Sequence, residues 1–268
     1  MTQDAVKIRV SSLENLFDCP ARWASQHLDG RTLPQTGNAR LGTAIHAGTA
    51  AFDRARMEGN PISIDDAAGV VIDTIWNKDE PVEWCDDKPE VVENVAVSLH
   101  TLYCREVAPK YIPVAVEVEC EALQFTDLGL ILTGTTDRVY KGLTTENMGI
   151  LDIKSGKNIV SPDGTVNVNS KPLQLGGYEL MTQVALGVEL KMPAVVVGLQ
   201  AGKTSKGQRV GTGYLTRPRD LLVGTKDRPG ALEHASRIIH GGWFPGNPRS
   251  MMCSEKYCPC FHECKFHG

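Results

Sequence analysis

In "SSLENLFDCPARWASQHL" the apolar residues Leu13, Leu16 and Phe17 stand at i, i+3 and i+4, behind Ser11 or Ser12 as candidate cap. The spacing predicts a helix there and a second one in "RLGTAIHAGTAAFDRAR". An acidic, largely helical region follows to about Tyr111, interrupted by the polar loop "NKDEPVEWCDDKPE". From Pro113 the period changes. In "VAVEVECEALQF", Val114, Val116 and Val118 alternate with Glu117 and Glu119, which marks a strand. "LILTGTTDRVYKG" and "MGILDIKSGK" are two more short apolar runs bounded by turn formers. "PLQLGGYELMTQVALGVEL" returns to helix despite its two glycines, and "PAVVVGLQAG" has the composition of a buried strand. Strands, helix and strand in this order predict an α/β core with helical decoration.

The 268 residues suffice for one large domain, or for a domain with an insertion. No apolar run approaches the roughly 18–20 residues of a membrane helix. The opening "MTQDAVKIRVSSLENLFDCP" lacks the basic-then-apolar pattern of a secretory leader. A cytoplasmic protein without a membrane partner is therefore expected. Of the eight cysteines, four crowd into the final "CSEKYCPCFHECKFHG", which argues for thiolate ligation in a reducing compartment and against a disulfide framework.

The net charge of −4 conceals an asymmetry: residues 1–150 carry −10 and residues 151–268 carry +6. The basic residues gather in "GKTSKGQR" (Lys203, Lys206, Arg209), "TRPRD" (Arg217, Arg219) and "GTKDRPG" (Lys226, Arg228). Such clusters suit a polyanion, or are simply a solvated face.

The chemistry falls on the two central strands. "GTTDRVY" supplies Asp137, and "LDIKSGK" supplies Asp152 and Lys154. Alternate residues of a strand share a face, so Asp152 and Lys154 point one way and Ile153 the other. Two carboxylates can hold Mg²⁺ or Mn²⁺, which prefer oxygen ligands. Such an ion activates water and neutralises charge on a phosphodiester under attack, and a neighbouring ammonium orients or stabilises. Taken alone, a D-x-K pair is equally an ordinary surface ion pair.

Together, "GTTDR", "LDIKSGK" and "QLGGY" resemble the motif set of RecB-like nucleases of the PD-(D/E)XK superfamily, and the resemblance runs from Ser12 to Cys264. It implies a restriction-endonuclease-like α/β core, a mixed sheet flanked by helices, within a single domain over 1–268. A helical insertion is expected near 50–110, the nuclease core at about 111–245, and an iron–sulfur lobe joining the two ends of the chain. The implied function is a metal-dependent DNA exonuclease of DNA processing or recombination, similar to the stand-alone nucleases of bacteriophages and CRISPR loci. The resemblance also assigns roles. His46 in "LGTAIHAG" joins Asp137 and Asp152 as metal ligand, Lys154 is catalytic, and Gln174 and Tyr178 contact DNA and buttress the site. By their own pattern, a lone His46 on an apolar helix is more often a core histidine, and Gln174 and Tyr178, at i, i+4, are equally a packing pair. The alternative is a non-catalytic DNA-binding subunit with a structural iron–sulfur or zinc site. No G-x-x-x-x-G-K-[ST] motif is present, so no built-in motor is expected.

A subset of these nucleases carries a [4Fe–4S] cluster, held by one cysteine before the nuclease motifs and three near the C-terminus. The resemblance implies Cys19, in "FDCPARW", with Cys253, Cys258 and Cys264, and leaves Cys260 over. The C-x4-C-x5-C spacing departs by two residues from the commoner C-x2-C-x5-C. Zinc is the competing ion, since it also takes four thiolates. A cluster shared by Cys19 and Cys264 would tether both chain ends, which otherwise fray. Cys85, Cys104 and Cys120 are read as buried small hydrophobes.

Overall fold

The computed structural model describes residues 5–85 and 87–267. The chain starts with β1 (Val6–Arg9), then α1 (Leu13–Asp18) and α2 (Pro20–His27). Where one helix was expected there are two, divided at Cys19, whose backbone is extended (φ −148°, ψ 92°). Pro20 explains the break, because it disfavours helical geometry in the residue before it and is well suited to the first turn of the next helix. Ser12 precedes α1 but does not cap it. Its hydroxyl donates to the Arg9 carbonyl (2.8 Å) and accepts from Trp23 Nε1 (3.0 Å), fastening α2 to the chain start.

Next come β2 (Gln35–Thr36), α3 (Gly37–Met57), α4 (Ile64–Ile75), β3 (Val82–Glu83) and α5 (Pro89–Leu102). The Thr36 side chain caps α3, and Ser63 with Asp66 forms a reciprocal capping box on α4. Among its described residues the expected polar loop, 77–90, holds the two-residue β3, which pairs with β2, and its last two residues already belong to α5.

The remaining elements are β4 (Tyr111–Phe125), β5 (Leu130–Gly142), β6 (Met148–Gly156), α6 (Pro172–Leu186), β7 (Ala194–Gln200), β8 (Arg209–Leu215) and α7 (Ala231–Gly241). They complete a mixed six-stranded sheet. β4 runs antiparallel along one edge of β5. The other edge of β5 is shared. β1 pairs parallel with residues 130–133, and β6 pairs antiparallel with residues 138–141. β6 continues parallel to β7, and β7 antiparallel to β8. Residues 134–137, between the two partners, face a fork.

Both sheet faces are covered, which is why β6 and β7 read as near-continuous apolar runs. On one face Leu41, Ile45, Val71, Val95 and Leu99 of α3–α5 pack against Leu151, Ile153, Val197 and Leu199. On the other, Leu13, Leu16, Leu175, Met181 and Leu232 of α1, α6 and α7 pack against Leu132, Val139, Ile150 and Val196. Among the described residues no helix is long and apolar enough to cross a membrane.

Candidate functional site

The fork decides the geometry. The β5–β6 ladder ends at Arg138 opposite Leu151. β5 also changes phase here: the Thr136 hydroxyl meets Thr182 of α6 (2.8 Å), whereas Arg138 turns to Asp53 of α3 (2.8 Å). Across β4 the matching irregularity is Glu117, a non-glycine residue at φ 53° between Val116 and Val118. Asp137, between the two orientations, reaches sideways along the sheet. Its Oδ2 accepts the Ile153 N–H (2.7 Å), in the place of a ladder carbonyl. The Ile153 carbonyl accepts from His46 Nε2 of α3 (2.9 Å). One peptide segment of β6, released by the end of its ladder, thus holds both His46 and Asp137.

His46 Nδ1 lies 3.3 Å from Asp137 Oδ1. With Nε2 committed as donor, Nδ1 of a neutral ring is an acceptor, so a proton or another cation belongs between them. Burial disfavours charge on the ring, but the Asp137 carboxylate outweighs it and holds the His46 pKa above its ordinary value. Burial likewise opposes ionisation of Asp137, yet His46 and then Lys154 hold its carboxyl below the usual range.

Asp152 is 1% exposed. Its Oδ1 accepts from Lys154 Nζ (2.9 Å), whereas Oδ2 is buried without a hydrogen-bond partner. Burial pushes its carboxyl up to about 6, against the attraction of Lys154 and with the repulsion of Asp137. A buried carboxylate oxygen with nothing to accept from is costly unless a cation joins it. The structure therefore brings His46, Asp137, Asp152 and Lys154 to one place. Among the described residues, no three His, Cys, Asp or Glu side chains stand close enough to hold a metal ion as they are. Asp152 leans to Lys154, and its free oxygen is what a cation would engage.

Gln174 and Tyr178 share a buried face of α6, with Gln174 Nε2 donating to the Tyr178 hydroxyl (3.0 Å). Burial, and next the Asp152 charge, push the Tyr178 hydroxyl up to about 12, so it stays neutral beside the carboxylates. The tyrosine can lie there because position 134 is glycine: a Cβ would stand 3.3 Å from Tyr178 Cε1 and 3.0 Å from Met181 Cε. The N-terminus of α6 is held from outside, its Gln174 N–H donating to Glu14 Oε1 of α1 (2.9 Å).

Sequence reasoning missed two supports. The first is Glu14. The second is a buried clamp behind the site. Asp53 accepts from Tyr103 (2.5 Å), Tyr111 (2.7 Å), Arg138 Nε (2.8 Å) and Arg56 (2.8 Å). Arg138 also donates to the Asp137 carbonyl (2.6 Å) and the Thr49 hydroxyl (3.1 Å). A signal was available: Asp53 is seven residues after His46, on the same face of α3, and Arg138 directly follows Asp137.

Five of the eight cysteines converge where the start of the chain meets its tail. Cys19, Cys253, Cys258, Cys260 and Cys264 line one pocket between the start of α2 and the C-terminal tail. Cys258 and Cys260 Sγ are 3.6 Å apart, and the Asn247 N–H donates to Cys19 Sγ (3.3 Å). Cys260, left over by spacing, shares the pocket, which makes five thiols where a cluster takes four. Of the three scattered cysteines, Cys104 is buried as expected. Cys120 is half-buried, and Cys85 is exposed in the loop after β3. The buried reading of Cys85 is corrected: its polar loop packs too little around it to cover a side chain.

A model of the PD-(D/E)XK nuclease superfamily matches residues 8–265. The fold is similar to a crystal structure of "Putative exonuclease" from Eubacterium rectale. That likeness has a TM-score of 0.54 at 13% identity, over 92% of this chain and 86% of that one. No curated protein matches the chain.

Proposed function

The chain belongs to the PD-(D/E)XK nuclease superfamily, and on that footing we propose that it is a metal-dependent DNA exonuclease of DNA processing or recombination. The observation that carries this reading is the buried, unpartnered Asp152 Oδ2, beside a His46–Asp137 pair that faces acceptor to acceptor. These groups fit a hard divalent cation, Mg²⁺ or Mn²⁺, with His46, Asp137 and Asp152 as the residues that would hold it. When bound, such an ion supplies a water of lowered pKa and neutralises charge on the phosphoryl oxygens. Lys154, held by Asp152, keeps its ammonium charged at the mouth of the site and donates to the attacked phosphate or to the incoming water. Gln174 and Tyr178 stay neutral and fix the α6 wall against which the substrate is oriented.

The cysteine pocket supports a second, structural group. Five thiols line it beside the His267 imidazole, which suits a [4Fe–4S] cluster on Cys19, Cys253, Cys258 and Cys264, with zinc as the competing ion. Such a group would tie α2 to the tail in a lobe beside a nuclease core at about 111–245 and a helical insertion near 50–110. Hydrolysis requires no electron transfer, so its role would be to hold the fold. This organisation, in one domain, is that of the stand-alone nucleases of bacteriophages and CRISPR loci, and thiolate ligation fits a reducing cytoplasm.

Incubating end-labelled DNA with Mg²⁺ or Mn²⁺, against EDTA, tests the proposal. Cation-dependent loss of label as mononucleotides or short fragments is expected. Binding without cleavage under all metals would instead identify a non-catalytic DNA-binding subunit.

A further inference from the structure

The three basic clusters of the second half of the chain lie in different settings. Arg217 pairs with Asp220 (3.0 Å) and Arg219 donates to Gln183 (2.8 Å), so the second cluster is engaged with its own neighbours. Lys226 and Arg228 sit in a turn before α7, whose Ser236 donates to the Leu128 carbonyl in the turn that precedes β5. The first cluster lies beside the site. Lys203 and Lys206 belong to the hairpin 201–208 that joins β7 to β8.

β6 and β7 run parallel, with Lys154 opposite Gly198 and Gly156 opposite Gln200. At about 3.3 Å per residue the hairpin begins roughly 10 Å beyond the level of Lys154. The Ala201 N–H donates to the Gly156 carbonyl (2.9 Å), so the loop after β6, which opens with Lys157, leaves the sheet beside the hairpin. Ligands of α/β sheets collect beyond the carboxyl ends of parallel strands, and this is that end.

Lys157, Lys203 and Lys206 are exposed, and among the described residues none has an acidic partner, unlike Lys141 with Glu146 and Lys191 with Glu189. From Leu190 to Arg219 the chain has no Asp or Glu. The hairpin is also braced. Gln208 Nε2 donates to the Gly202 carbonyl (2.9 Å), Ser98 of α5 donates to Gln208 Oε1, and the Gly207 N–H donates to the Thr204 carbonyl (2.9 Å). Two unpaired cations on a braced hairpin and a third on the loop beside it, in a chain of net negative charge, create a local field that favours a polyanion at this end of the sheet.

We infer that hairpin 201–208, through Lys203 and Lys206, together with Lys157, carries the phosphate backbone of the DNA next to the position attacked at Lys154. This rests on the nuclease reading and adds the path of the strand. The interactions are with phosphate, so they give affinity and salt dependence without base preference.

The test is binding of a fluorescent DNA oligonucleotide to the full chain in EDTA, with salt varied between about 50 and 200 mM. The triple variant Lys157→Ala, Lys203→Ala, Lys206→Ala should reduce the slope of log K against log salt by about 2 to 3, since each phosphate neutralised by a lysine adds about 0.7–0.9 to that slope. Lys226→Ala with Arg228→Ala, the control, should leave it unchanged, and circular dichroism checks that both fold. A triple variant with wild-type slope and affinity would overturn the inference while the wild-type chain still cuts DNA, so the nuclease reading would survive. A wild-type chain that neither binds nor cuts DNA would remove both.

Discussion

His46 Nδ1 stands 3.3 Å from Asp137 Oδ1 while His46 Nε2 is committed to the Ile153 carbonyl at 2.9 Å. The backbone bond selects the tautomer, and the tautomer turns a lone pair toward a carboxylate. The raised His46 pKa favours a proton in that position, and on the proposed function a divalent cation held by His46, Asp137 and Asp152 would displace it. His46→Ala should therefore weaken cation binding while leaving the fold intact, with activity partly restored by raised Mn²⁺, which is less exacting about geometry than Mg²⁺. Metal titration of cleavage checks this, and an unchanged cation requirement would exclude His46 as a ligand.

Asp137→Asn and Asp152→Asn should abolish cleavage yet keep DNA binding, since each removes a charge required for cation binding without changing shape. Lys154→Ala should keep cation affinity and cost roughly 10²–10⁴ in rate, the scale of one positioned acid–base or charge-stabilising group. Cleavage by either Asn variant in the presence of EDTA would sink the assignment.

Asp152 sets a pH window. Burial, reinforced by Asp137, raises its folded carboxyl to about 6, above the ordinary 3.8, so the folded chain holds that proton more tightly than the unfolded one. His46 is shifted in the same direction. The part of the metal-free protein's stability due to Asp152 and His46 should thus rise as the pH falls from about 7.5 to 5. It is read as the difference between wild type and Asp152→Asn, because His27 and the buried His100, with lowered pKa values, act in the opposite sense over the same window. The Asp137 contribution has the opposite sign, but its carboxyl is lowered, so it is lost only in stronger acid. A cation must displace these protons, so Mn²⁺ affinity should weaken as the pH falls through about 6. Melting in EDTA and calorimetric Mn²⁺ titration at the two pH values test the two statements separately.

Asp53→Ala should destabilise the chain by about 3–5 kcal/mol, because it leaves the Arg138 guanidinium, 1% exposed, without its counter-charge. Asp53→Asn, which keeps the shape and one acceptor, should cost less. Denaturant unfolding measures both. A change within about 0.5 kcal/mol for the alanine variant would mean that the clamp bears no part of the fold.

Protein purified without oxygen should be brown if Cys19, Cys253, Cys258 and Cys264 hold a [4Fe–4S] cluster. Cys19→Ala should bleach it and lower its melting temperature, because a three-thiolate site binds weakly and the ends lose their tie. Cys260→Ala should keep the colour, although its thiol lies in the same pocket. The reverse result, a brown Cys19→Ala and a colourless Cys260→Ala, would mean that the tail binds its metal without Cys19.

Much of the site was legible before any coordinates, because strand alternation is local. Asp152 and Lys154 share a face at i, i+2 and pair at 2.9 Å, and Gln174 and Tyr178 meet at i, i+4 as helical spacing requires. The longer strands and helices were equally readable, since each repeats its apolar period over many residues. β1, with four residues, and β8, with two glycines in seven, are too short or too broken to show a period, and they appear only through their partners. The division of α1 from α2 is readable in principle from Pro20, but the apolar spacing runs on through it and hides the break.

The sequence alone determined which residue types carry the chemistry, since periodicity and side-chain identity are properties of neighbouring residues. The fork between β1 and β6 was decided by tertiary structure. That fork frees the Ile153 peptide to hold His46 and Asp137, lets Tyr178 in over Gly134, and sets Arg138 against Asp53. Tertiary structure also brings Cys260 into the same pocket as the four cysteines that the resemblance implies, and sets one basic cluster at the carboxyl ends of β6 and β7. Most of these join residues tens to hundreds of positions apart. Such pairings depend on how strands share an edge and how helices cover a face, and no local period encodes that.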